Sequence, residues 1–118
     1  MKKLFVFAAV AAIGVMSMST NANAFNTRRC AACHAIDHDK VGPSWKEDVK
    51  AYGNEETLAK VFLSGFAVKD RHIAGHSAKW KSKAGLMTMQ FRHLIKGHEK
   101  AAAHALFETV KKGKFGDY

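Results

Sequence analysis

Cys30, Cys33 and His34 stand together as Cys30-Ala31-Ala32-Cys33-His34, and their types and spacing suit one chemistry in particular. Two thiols three positions apart can reach the two vinyl groups on one edge of a porphyrin and form thioethers. The next residue then lies under the ring and can offer an imidazole nitrogen to iron. Attachment of this kind keeps the ligand local, so the folding chain need not find it across a long loop. Three other chemistries use the same side chains: a disulfide between Cys30 and Cys33, a thioredoxin-like redox pair and a zinc site. Zinc wants two more good ligands, and the chain has two cysteines in all, both inside the motif. The adjacent histidine favours a haem c attached through Cys30 and Cys33, with His34 as ligand to its iron.

The stretch before the motif sets its compartment. Met1-Lys2-Lys3 is basic, Leu4 to Met16 is apolar, and Ala22-Asn23-Ala24 is an Ala-x-Ala cleavage signature. Residues 1–24 therefore read as a cleaved secretory signal peptide, which points to the periplasm. The apolar run falls short of the about 20 residues that a membrane span needs, which argues against a retained anchor. Residues 25–118 form a single domain, since 94 residues leave no room for a second. Its apolar content is modest, and a flat apolar macrocycle would complete the core. This part carries 17 Lys and Arg against 10 Asp and Glu, a formal charge of +7. A basic exported chain suggests an acidic protein partner met by electrostatic steering. It argues against nucleic acid and leaves an anionic membrane surface as a peripheral contact. A monomer is expected.

Further elements must position the motif. Pro43 is the only proline, nine residues past His34. Its fixed φ makes a rigid turn, and such a turn can aim a backbone carbonyl at the free N–H of a ligating imidazole. Arg28 and Arg29 would neighbour a propionate or face a partner, or be solvated. Ser44 to Tyr52 reads as a short helix capped by Ser44. Asn54 caps a second, with Leu58, Val61 and Phe62 at helical spacing and Gly65 at its end. Residues 66–85 are the least regular. There His72 and His76 would share a helix face but lack acidic or thiol partners, so they read as solvated. Trp80 reads as a ring neighbour or propionate donor. Gly85 to Phe91 reads as a loop, in which Met87 and Met89 are two candidate thioether ligands for haem iron. In an extended chain both would point the same way. The last helix is expected over His98 to Lys112, with Gly113 as its stop. Residues 115–118 carry no signal, and no stretch alternates like a strand.

Taken together, Cys30-Ala31-Ala32-Cys33-His34, Val41-Gly42-Pro43, a late methionine loop and a closing helix resemble a class I monohaem cytochrome c. The resemblance implies an all-α chain, a small cytochrome c fold of about three to five short helices wrapped around one covalently attached haem. It implies His and Met axial ligands, one exposed haem edge and a one-electron carrier rather than an enzyme. A Met-x-Phe sequence ahead of the last helix is a familiar form of the family's distal ligand. Met89-Gln90-Phe91 fits it, so the resemblance puts Met89 with Cys30, Cys33, His34 and Pro43 in the cofactor site, and His34 and Met89 on the iron. Acidic redox proteins, such as a multihaem cytochrome, a dehydrogenase or an oxidase, are the expected transient partners. Two other readings use the same residues: a haem enzyme or gas-binding module with an open distal site, with His72, His76 and His93 as variant ligands, and a haem subunit of a fixed redox complex. One departure from the family is that too little chain separates Ala24 from Cys30 for the usual N-terminal helix, so either that helix is stunted or cleavage falls before Ala24.

Overall fold

Caps written into the sequence open the first two helices. The computed structural model describes residues 24–118, so the signal-peptide expectation falls outside the described residues save for Ala24 itself. Helix α1 spans Trp45–Tyr52, and the Ser44 hydroxyl accepts a hydrogen bond from the Glu47 N–H at 3.2 Å. Helix α2 spans Glu55–Leu63, and the Asn54 carboxamide oxygen accepts from the Thr57 N–H at 2.8 Å. Glu55 and Glu56 lie in its first turn, where negative charge suits the exposed N–H groups. Past α2 the chain reverses through Gly65 and Phe66. Phe66 has φ 56°, alone among the described non-glycine residues in being positive. Two short 3₁₀ turns, Val68–Asp70 and Ala74–His76, lead to α3, Ala78–Lys81. Helix α4 covers Ala84–Gln90 and continues into a π-helical turn, Phe91–Ile95. Helix α5 covers Glu99–Lys112 and stops at Gly113, which adopts the left-handed conformation at φ 74°. Among the described residues there are five α-helices and no strand, as the all-α expectation required.

The α2–α5 pair forms the centre of the packing. Ala102, Ala103 and Ala105 of α5 are all buried, and side chains of one methyl let the two backbones approach closely. Leu58 and Phe62 of α2 fill the space above them with Phe66 and Phe91, whose rings lie 5.2 Å apart.

Among the described residues, a four-residue 3₁₀ turn, Thr27–Cys30, is the only helical element ahead of the motif's second cysteine. Hydrogen bonds across the whole sequence hold it in place. Thr27 Oγ1 and Thr109 Oγ1 share a hydrogen bond of 2.8 Å, and the Gly116 N–H donates to Thr27 Oγ1 at 2.9 Å. Phe25 donates its N–H to the Tyr118 carbonyl at 2.9 Å. Residues 115–118, without signal in the sequence, thus pair with the segment that enters the cysteine motif. Among the described residues, no helix is long and apolar enough to cross a membrane.

Candidate functional site

The motif is one tight turn. The N–H groups of Cys33 and His34 both donate to the Cys30 carbonyl, at 3.2 and 3.0 Å. Cys30 and Cys33 are free thiols, each part-buried. Burial pushes the Cys30 thiol up to about 11, outweighing the lowering effect of Arg29. A thioredoxin-like pair needs the opposite, a nucleophilic thiol with a depressed pKa.

His34 is fixed from behind. Its Nδ1 lies 2.9 Å from the Pro43 carbonyl oxygen. A carbonyl only accepts, so Nδ1 carries the proton and Nε2 keeps its lone pair. Gly42 makes this approach feasible. A Cβ there would collide with His34 Cε1 and lie 2.8 Å from Nδ1 and 2.9 Å from Nε2. Gly42 also donates its N–H to the Cys33 carbonyl at 2.8 Å. Burial, helped by the charge of Lys40 and opposed by the Pro43 bond, holds the imidazole pKa below its usual value. The ring is therefore neutral at pH 7, as a metal ligand must be.

Both thiols and His34 open on an apolar cavity of about 230 Å³. Its other walls come from α1, α2, the 66–84 segment and α4. Here the structure parts the two candidate methionines. Gly85 to Phe91 is helical, not an extended loop. At about 100° per residue, side chains two apart on a helix point to nearly opposite sides. Met87 lines the cavity, whereas Met89 is 52% exposed and does not. Met89 is thus the one predicted site residue that the structure sets apart from Cys30, Cys33, His34 and Pro43, whereas Met87 shares their cavity.

Arg71 also lines the cavity, a residue the sequence did not single out. It is only 4% exposed. Its guanidinium donates to the Phe66 carbonyl at 2.9 Å, to the Ala84 carbonyl at 3.2 Å and to Thr88 Oγ1 at 2.7 Å. It lies 4.0 Å above the Phe66 ring. None of the ion pairs among the described residues includes it, and burial lowers its pKa. A lone arginine in a lysine-rich stretch gives no sign of this role. Trp80 is buried on the same wall, with Lys79 and Lys83 over its ring. His72 instead stacks on Tyr52 at 4.3 Å and bonds to the Ala51 carbonyl. No cluster of three or more His, Cys, Asp or Glu able to hold a metal ion occurs among the described residues.

The donor set fits a haem. Two thiols can form thioethers, an imidazole nitrogen and a soft thioether can bind iron, apolar walls suit the macrocycle, and a buried guanidinium without a carboxylate suits a propionate. Fold and site together define a small helical protein whose apolar cavity suits a tetrapyrrole. The chain is 33% identical over 61 residues to cytochrome c-551 of Azotobacter vinelandii, across 52% of this chain and 67% of that protein. It belongs to the c-type cytochromes, whose cofactor is haem c. No family model matches the chain, and no solved structure does.

Proposed function

We propose that this chain is a periplasmic monohaem cytochrome that carries single electrons between redox proteins. In this reading Cys30 and Cys33 tether the haem, and His34 and Met87 are the ligands to its iron. The observation that carries it is the locked His34 ring, with Nδ1 held by Pro43 and Nε2 left free, on the same cavity as both thiols and Met87. Bound there, haem c supplies an iron that alternates between ferric and ferrous. The Pro43 carbonyl orients the imidazole and strengthens it as a donor. The Met87 thioether favours the ferrous state and raises the potential. Arg71 and Trp80 would hold a propionate. Two ligands fixed by packed elements keep the site alike in both oxidation states, which suits a carrier and leaves no open position for a substrate.

The rim of the cavity gives the partner surface. Leu86 and Val41 line the cavity and are 57% and 42% exposed. Arg29 and Lys83 line it too. Exposed apolar side chains flanked by cations suit brief contact with an acidic redox protein such as a multihaem cytochrome, a dehydrogenase or an oxidase. Such interfaces are small and weak.

Visible and near-infrared spectra of the exported protein, oxidised and reduced, test the proposal. A sharp reduced α-band with the weak oxidised band of iron–thioether bonding is expected. A high-spin spectrum that changes with carbon monoxide would replace the carrier by the open-site reading. Haem lost on denaturation, or absent altogether, would overturn the assignment of Cys30 and Cys33.

A further inference from the structure

Helix α1 carries a carboxyl group on its inward stripe. Trp45 and Tyr52 are buried and line the cavity. Asp48 lies three residues after one and four before the other, on the same stripe, and it too lines the cavity. Its neighbours Lys46, Glu47 and Lys50 are exposed, as charged residues of a surface helix should be. A carboxylate facing an apolar cavity is costly unless it is paired, and no ion pair among the described residues includes Asp48.

The charged and titratable groups around it decide which form it takes. Asp48 is part-buried, and desolvation pushes its pKa well above the ordinary aspartate value, with the negative charges of Glu47 and Asp39 pushing the same way. Asp39 is itself held by the Ser44 N–H at 3.0 Å and by Lys79 at 3.5 Å. From the other elements the cavity receives Arg29, Arg71 and Lys83, with His34 and the two thiols. The Tyr52 hydroxyl, also on the cavity, accepts the His72 N–H at 3.2 Å. Arg71 is already committed to the three oxygens named above, and His34 to Pro43. Asp48 carries the one carboxyl among the residues that line the cavity, and the proposed function leaves it without a task.

We propose that Asp48 is a redox-linked proton site, which takes up a proton when an electron enters the cavity and returns it when the electron leaves. The inference rests on the haem reading above. One electron from a one-electron donor turns ferric iron ferrous and removes one positive charge. One solvent proton adds to the Asp48 carboxylate and gives the neutral acid. The cavity keeps its total charge, so a low-dielectric site need not absorb a change of one unit. The ferric charge favours the carboxylate, so the pKa of Asp48 is lower in the oxidised protein than in the reduced one. Between those two values the midpoint potential falls as pH rises, with a limiting slope of about 59 mV per pH unit for a one-electron couple.

The test is spectroelectrochemical titration of the haem-loaded protein from about pH 5 to 9, a range above the ordinary carboxylate pKa. Wild type is expected to show the falling potential, Asp48→Asn to flatten it, and Glu47→Gln, which removes the same charge from the exposed face, to retain it. An unchanged slope in Asp48→Asn would overturn the proposal and assign the proton to another group, such as a propionate. So would a wild-type potential independent of pH. A second readout needs no variant. The infrared difference spectrum on reduction should gain a protonated-carboxyl band that shifts in protein labelled with carboxyl-13C aspartate, as a propionate band would not. No label-sensitive band would overturn the proposal even if Asp48→Asn fails to fold. A normal reduced α-band beside a flat wild-type titration sinks this inference alone, whereas absence of the α-band sinks the haem reading beneath it.

Discussion

Gly42 is the residue that lets His34 and Pro43 meet. Any side chain there occupies the space of the imidazole, so Gly42→Ala should push the ring off the Pro43 carbonyl. The cost is that of overpacking, about 1–3 kcal/mol, and a high-spin fraction should appear in the oxidised spectrum as the axial bond loosens. Denaturant unfolding and absorption check the two effects separately. The two methionines make a sharper pair. Met87→Ala should abolish the iron–thioether band and lower the midpoint potential by something on the order of 100 mV, a modest part of the about 0.8 V that axial ligands span. Met89→Ala removes a half-exposed side chain and should change neither. The reverse result would return the ligand to Met89. His34 also gives the stability a pH dependence of definite sign. Its pKa is held low in the folded chain, so the unfolded chain binds the proton first as pH falls below about 6.5. This contribution is therefore full above that value and is lost on the acid side, down through the folded pKa. Urea midpoints between pH 7 and 5 should fall in step.

Arg71 joins two elements by hydrogen bonds, the Phe66 reversal and the first turn of α4. Phe66 sits at a positive φ that an aromatic residue adopts only when its surroundings enforce it. Arg71 supplies that enforcement from its guanidinium, on the carbonyl and on the ring face. The same group fixes Ala84 and Thr88, on either side of Met87 in α4. Arg71→Leu should leave the Phe66 carbonyl without its guanidinium donor, at about 1–3 kcal/mol, while Ala84 keeps the Thr88 hydroxyl, and should free α4 enough to weaken the Met87 band. A loss of stability with an intact band would make Arg71 a brace for Phe66 only. Sequence reading found α1, α2 and α5 because their signals are local: Ser44, Asn54 and Gly113 mark the ends, and apolar residues recur at helical spacing between them. It found Cys30, Cys33, His34 and Pro43 for the same reason, since all four lie within fourteen residues. It took α4 for a loop because a short segment with Gly85 and Thr88 and no capping side-chain bond has little helical signal of its own. Arg71, thirteen residues before Ala84 in the chain, braces its first turn. The missed helix bears on the choice of ligand, for Met87 and Met89 part company only once the chain coils. The pairing of Thr27 with Thr109 and Gly116 was out of reach for a similar reason, because hydrogen bonds more than eighty residues apart leave no periodic trace.

At the scale of the whole molecule, charge decides how a carrier of this kind meets its partner. The full chain has a formal charge of +9, and +7 once residues 1–24 are set aside. A field of that size steers an acidic partner from beyond contact distance, and salt screens it over about 10 Å at 0.1 M. Net charge alone would attract without orienting. Orientation needs cations near the site where the electron crosses, and Arg29 and Lys83 stand on the cavity wall beside the apolar rim of Val41 and Leu86. Reduction by a small anionic donor should therefore slow steeply as ionic strength rises, as expected for opposite charges. Lys83→Glu should flatten that dependence more than Lys100→Glu, which makes the same change of net charge on an exposed turn of α5 outside the cavity wall. Stopped-flow rate constants over a series of salt concentrations measure both. Equal slopes for the two variants would mean that only the total charge matters, and that the rim is not where electrons enter. A flatter slope for Lys83→Glu alone would locate the entry at the mouth of the cavity, on the side where Leu86 and Val41 are open to a partner.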